Sequence, residues 1–144
     1  MYKPDCPFCD FSGREALVYE DGVAFAVISL RPTNRHHVMV IPREHYESFV
    51  ELPDELASHT FLLCKRLSAA VRRVSRADAV THISDDDVNG SWQNRVAHYK
   101  FHIMPRFRGD GVEINWNREE AGTKARAEFA RQIREELLPG GVVP

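Results

Sequence analysis

Three side chains able to carry protons or hold anions recur at alternate positions in Ala97-His98-Tyr99-Lys100-Phe101-His102-Ile103-Met104-Pro105-Arg106. A β-strand sends successive side chains to opposite faces. Read as a strand, the stretch puts His98, Lys100 and His102 on one face and Tyr99, Phe101 and Ile103 on the other. Two imidazoles flanking an amine suit proton transfer near neutral pH and the binding of an anion. A solvated polar face over a buried apolar one is the plain alternative. Cys6-Pro-Phe-Cys9 is a second chemical feature. Two thiols at this spacing can grip a metal ion from one turn, but they can also be redox-active or simply free. The redox reading lacks the strand–helix–strand context expected of it.

Taken together, the motifs carry a resemblance. His98-x-Lys100-x-His102-Ile-Met-Pro-Arg106 resembles the signature strand of the histidine triad (HIT) superfamily, His-x-His-x-His followed by apolar residues and Pro-Arg. His37-Val-Met-Val-Ile-Pro42-Arg-Glu-His45 looks like that family's second motif, and Cys6-Pro-Phe-Cys9 is similar to the Cys-x-x-Cys of its zinc-binding members. The resemblance covers roughly residues 5 to 107. It implies an α+β fold with a mostly antiparallel five-stranded sheet, one long helix and a C-terminal helix, usually paired as a homodimer. It also implies a structural Zn2+ held by Cys6, Cys9, His45 and His98, a closed four-ligand set.

HIT enzymes attack the α-phosphate of a nucleotide with the central histidine of the triad. By position, Lys100 stands where that nucleophile would be, with His102 and His37 as phosphate contacts or acid/base groups. A free Lys has a pKa of about 10.4 and is a nucleophile only when neutral. Lys100 therefore reads as a fixed cation for an anionic substrate, as a nucleophile or amine catalyst if its surroundings lower its pKa, or as a relic of the triad or an engineered change. The resemblance places Ser29, Asp87, Asn94 and Arg95 around the substrate. Ser29 stands at the family's ribose-contacting acid, Asn94 at its phosphate-contacting Gln, and His36 where a Gly commonly precedes the second-motif His. Arg95 can meet an anion bidentately, and Trp92 can stack on a planar ligand or pack in the interior.

These residues need elements to position them. Residues 1–13 read as a loop carrying the cysteine knuckle. Ala16–Glu20 and Val23–Ser29 read as strands joined by Asp21-Gly22, a two-residue hairpin signal. Residues 31–36 form a polar loop, and Val38–Ile41 a short buried strand ending at Pro42. Leu52, Leu56, Leu63, Leu67, Ala70 and Val74 repeat at helical spacing behind the acidic start Pro53-Asp54-Glu55. Cys64 falls in that pattern as a small core residue. Ala79–Ser84 reads as a strand and residues 85–90 as an acidic turn-rich loop. Ala121, Ala125, Phe129, Ile133 and Leu137 mark a terminal helix over 119–138.

The 144 residues, with a net charge of −2 and mixed signs, suit one soluble domain and no broad nucleic-acid surface. Arg72, Arg73 and Arg76 read as a solvated helix face. No apolar signal region or run of about 20 apolar residues is present, so no membrane partner and a cytoplasmic location are expected. The leading expectation is an enzyme of nucleotidyl hydrolase or transferase type, acting on a phosphate-bearing, nucleotide-like small molecule. The alternatives are a non-catalytic nucleotide or anion binder, and an enzyme using the Lys100 amine on another metabolite.

Overall fold

The computed structural model describes residues 2–84, 96–113 and 120–137. The chain forms two compact units, Met1–Val112 and Glu113–Pro144. Five strands of the first unit are β1 (Leu17–Glu20), β2 (Ala24–Ile28), β3 (Val38–Pro42), β4 (Ala79–Ile83) and β5 (Phe101–Arg106), with α1 (Asp54–Ser75) between β3 and β4. They make one antiparallel sheet in the order β1-β2-β3-β5-β4. In the second unit, α2 (Thr123–Leu137) exposes Phe129, Ile133 and Leu137 along one side.

The β1–β2 hairpin forms, but its loop is Asp21, Gly22 and Val23, one residue longer than the expected turn. The Asp21 carboxylate explains the extra residue. Its Oδ1 accepts from the amides of Val23 and Ala24, both at 2.9 Å. Side-chain capping of this kind holds a turn that a bare two-residue link would close by backbone geometry alone.

Both faces of β2 and β3 are covered, which is why these strands read as continuous apolar runs. On one face Ala24, Ala26, Val38, Val40 and Ile103 pack against Leu63, Cys64 and Val71 of α1. On the other, Phe25, Val27, Met39 and Ile41 meet Phe8, Phe11 and Leu17. Small residues in β2 face the helix and larger ones face the N-terminal loop, so α1 lies close to the sheet.

The expected apolar stripe of α1 is corrected at its end. The buried side runs through Thr60, Leu63, Cys64 and Val71, while Ala70 and Val74 point to solvent. Residues four apart drift around a helix of 3.6 residues per turn, and Val71 sits at the angle the sheet reaches. Arg76, at φ 53°, ends the helix in the left-handed conformation, and it and Arg72 and Arg73 are exposed, as expected.

The signature strand is also shorter than its sequence pattern. Pairing begins at Phe101, with Phe101 opposite Val40 and His102 opposite Met39. Residues 96–100 leave the ladder because Tyr99 gives its amide to Tyr46 O at 2.6 Å, in the loop after β3. His98 and Lys100 therefore do not share a regular strand face with His102.

Ile103 is fully buried between sheet and helix, whereas Val74 is 65% exposed. Ile103→Ala should cost about 2–5 kcal/mol and Val74→Ala within about 0.5 kcal/mol, as read by urea unfolding.

Candidate functional site

His102 faces away from α1, on the side of the sheet that carries Met39, because antiparallel partners share a face. His37 immediately precedes β3, and its carbonyl accepts the amide of Ser29 at 2.8 Å. Its ring lies against His102, with Nε2 of His37 2.9 Å from Nδ1 of His102.

The proton order in this pair follows from its surroundings. The main-chain amide of Thr33 donates to Nδ1 of His37 at 3.1 Å. Neutral imidazole carries one proton, so that of His37 is on Nε2 and is donated to Nδ1 of His102. His102 then carries its own proton on Nε2. Burial lowers His37, and burial together with the proximity of His37 and Lys100 lowers His102 to about 4, so both rings are neutral at pH 7. The pair is thus arranged to donate a proton from His102 Nε2.

Lys100 lies between this pair and a second cluster. Its Nζ donates to the carbonyls of Val96 at 3.0 Å and His98 at 3.1 Å, and sits 5.6 Å from the centre of the Phe8 ring. Both carbonyls accept from the amine, and the ring face lies within cation–π range.

Cys6, Cys9, His45 and His98 form the second cluster, with one donor atom from each within 4.8 Å of the others. Nδ1 of His98 lies 3.4 Å from Sγ of Cys6 and 3.8 Å from Sγ of Cys9, and Nδ1 of His45 lies 3.5 Å from Sγ of Cys9. The knuckle is tied by the amides of Cys9 and Asp10, which both donate to Cys6 O. His98 is fully buried and donates from Nε2 to Pro42 O at 2.9 Å, so its Nδ1 lone pair is directed at the thiols. On the far side of His45, Nε2 is 3.5 Å from the Glu47 carboxylate. A carbonyl or carboxylate behind each imidazole is the usual support for a metal ligand. Burial lowers His98 to about 4 and raises the Cys9 thiol. The four residues could hold a metal ion.

The sequence-predicted residues fall into three groups. His37 and His102 come together, Ser29 sits beside His37 through the backbone, and Cys6, Cys9, His45 and His98 form the cluster that could hold a metal ion. Lys100 links the two groups as a charge acting on both His98 and His102. Asp87, Asn94 and Arg95, with Trp92, lie outside the described residues. Sequence reasoning missed Thr33, which acts through its backbone, and Phe8, whose ring meets His98 edge-on at 5.7 Å. Phe8 was visible only as a filler position between the two cysteines.

Residues 12–109 match the model of the HIT domain family. The chain belongs to the HIT family. An uncharacterized HIT-like protein of Borreliella burgdorferi is 31% identical over 110 residues, covering 74% of this chain and 79% of that protein. A crystal structure of a Streptococcus mutans protein superposes on this HIT chain with a TM-score of 0.83 at 25% identity, covering 94% of this chain and 87% of the other. Its relatives include the adenosine 5'-monophosphoramidase of Saccharomyces cerevisiae, 26% identical over 120 residues, covering 80% of this chain and 72% of that enzyme.

The neutral state of His102 has a consequence for stability. An unfolded His binds its proton near pH 6.5, and folding moves that to about 4. Between these values the unfolded chain holds more protons, so stability falls as pH drops through the window and is complete above it. His102→Gln should lose less stability than wild type between about pH 6.5 and 4.5. Parallel losses in urea unfolding at stepped pH would mean that His102 titrates alike in both states.

Proposed function

We propose that this HIT protein is a hydrolase or transferase acting on the α-phosphate of a nucleotide-like small molecule. The observation that carries the reading is the fixed proton order of His37 and His102, which leaves the proton of His102 on Nε2 in a ring that feels the charge of Lys100. A neutral proton donor within the field of a cation fits a phosphate whose leaving group must be protonated. The similarity to a phosphoramidase supports this substrate class. Lys100 acts as the cation and water as the nucleophile. Water oxygen bonds to phosphorus as the bond to the leaving group breaks. His102 gives its Nε2 proton to the leaving atom and recovers one from the water. Ser29, Asp87, Asn94 and Arg95 are the proposed substrate contacts. A second reading, a nucleotide binder without turnover, is favoured by the same Lys100, whose Nζ is turned towards the Val96 and His98 carbonyls.

The cluster of Cys6, Cys9, His45 and His98 is read as a structural Zn2+ site. Zinc–sulfur bonds of about 2.3 Å and zinc–nitrogen bonds of about 2.0–2.1 Å set sulfur–nitrogen edges of about 3.5 Å in a tetrahedron. The separations of 3.4, 3.5 and 3.8 Å fit those edges. With four protein ligands the ion would supply cross-linking and no open coordination position. A reducing, cytoplasmic setting would keep both thiols available. A homodimer completes the reading, supported by the edge strand β4 and by exposed Phe61 and Leu62 on α1.

The test of function is a panel of adenosine and guanosine phosphoramidates and dinucleoside polyphosphates. Wild type should turn over at least one of them, and His102→Ala should lower kcat by about 100-fold or more. Activity in Lys100→His alone would support the binder reading, and inactivity of both folded proteins would sink nucleotide chemistry here.

The test of the metal site is elemental analysis of protein never exposed to chelator. About one equivalent of zinc is expected, and its removal should lower the melting temperature. Protein that is folded with no metal would overturn the assignment.

A further inference from the structure

The proton order of the imidazole pair depends on the position of one amide, that of Thr33, which lies in neither strand nor helix. The loop that carries it has little preference of its own for this shape. His37 donates its amide to Asn34 O at 3.2 Å, closing a turn whose third residue, His36, has φ 66°. That position of a type II turn favours glycine, and a side chain there is strained. The turn must therefore be held from outside.

The Asn34 side chain supplies the hold. Its Nδ2 donates to Pro105 O at 2.9 Å, on β5, and to the Asp110 carboxylate at 3.0 Å. Asp110 is a rigid anchor. Its carboxylate accepts from Nε of Arg106 at 2.7 Å, Nη2 of Arg106 at 3.0 Å and the amides of Phe107 and Val112 at 3.1 and 3.0 Å. Arg106 is braced in turn by Thr81 on β4. Met104 adds a weaker tie, its sulfur accepting from the Thr33 hydroxyl at 3.5 Å. Since β5 also carries His102, one clasp fixes the loop of His37 to the strand of its partner.

We infer that Asn34, gripped by Pro105 O and the Asp110 carboxylate, is a positioning residue that keeps the Thr33 amide on His37 Nδ1 and so sets the proton order of the His37–His102 pair. The inference rests on the reading of that pair as the proton donor of the proposed reaction. Asn34 touches neither ring. Without its side chain the turn relaxes and Thr33 withdraws its amide. His37 can then carry its proton on Nδ1 and accept at Nε2. His102 in turn donates from Nδ1 and leaves a bare lone pair on Nε2. The number of protons is unchanged, but the site has exchanged an acid for a base.

The test is NMR of 15N-labelled histidine rings at neutral pH in wild type, Asn34→Ala and Arg35→Ala, an exposed neighbour in the same turn. Wild type and Arg35→Ala should carry protons on Nε2 of both His37 and His102. Asn34→Ala should show a substantial population protonated on Nδ1 at both. Its kcat on an adenosine phosphoramidate should fall about 10-fold or more, with KM within about 3-fold. A folded Asn34→Ala with wild-type tautomers would overturn the inference, as would a wild type protonated on Nδ1 of His37. If Asn34→Ala does not fold, Asn34→Ser, which keeps one donor, takes its place and must shift the tautomers part-way. Tautomers are read without substrate. A wild type inactive on every phosphoramidate, with tautomers that still move in Asn34→Ala, would therefore sink the functional reading and leave this inference standing.

Discussion

One hydrogen bond organises the sheet face opposite the helix: the 2.9 Å contact between His37 and His102. It can form in a single proton order because a main-chain amide already occupies the other nitrogen of His37. The sheet makes the contact possible. β3 and β5 are neighbours, and His102 stands opposite Met39. The helix packs on the other face, so the imidazoles share theirs with the aromatic residues of the N-terminal loop. Burial then keeps both rings neutral, which preserves the bond at physiological pH.

The second constraint lies just before β5. Residues 96–100 are drawn out of the sheet ladder by Tyr46 O, and His98 is drawn inward by Pro42 O. This detour takes one histidine of the signature out of register and gives it to the cysteine knuckle. Lys100, between the two sites, is fixed by carbonyls and by the Phe8 ring of the same knuckle. The cysteine–histidine cluster and the imidazole pair are thus successive stations on one short segment. The His98 carbonyl, which accepts from the Lys100 amine, joins the two directly.

The order of strands and helices, the buried character of β3, and the grouping of Cys6, Cys9, His45 and His98 were legible in the sequence. Period-2 and period-3.6 patterns report burial directly, and the family resemblance supplied His45 and His98 as companions of the two cysteines. Less legible were features decided by single backbone groups. Alternation from Ala97 onward reads as strand, yet the amide of Tyr99 pairs elsewhere. Val74 fits a spacing of four, yet the helix has rotated past the sheet by then. Position 36 was legible in reverse: the resemblance puts glycine there, and the positive φ of His36 supplies the reason. Asn34, Asp110 and Thr33 carry no motif, because their work is done through hydrogen bonds that only the folded chain brings together.

The donor to His37 is part of the main chain, and this affects how the loop can evolve. Among the common amino acids, only proline at position 33 deletes an amide hydrogen. Other replacements there leave the donor in place, so the chemical identity of residue 33 is nearly invisible to selection on proton order. What selection can see is the shape of the loop. The sequence of the segment is therefore free to drift while its path is conserved, and damaging variants should cluster at residues that bend or anchor the chain.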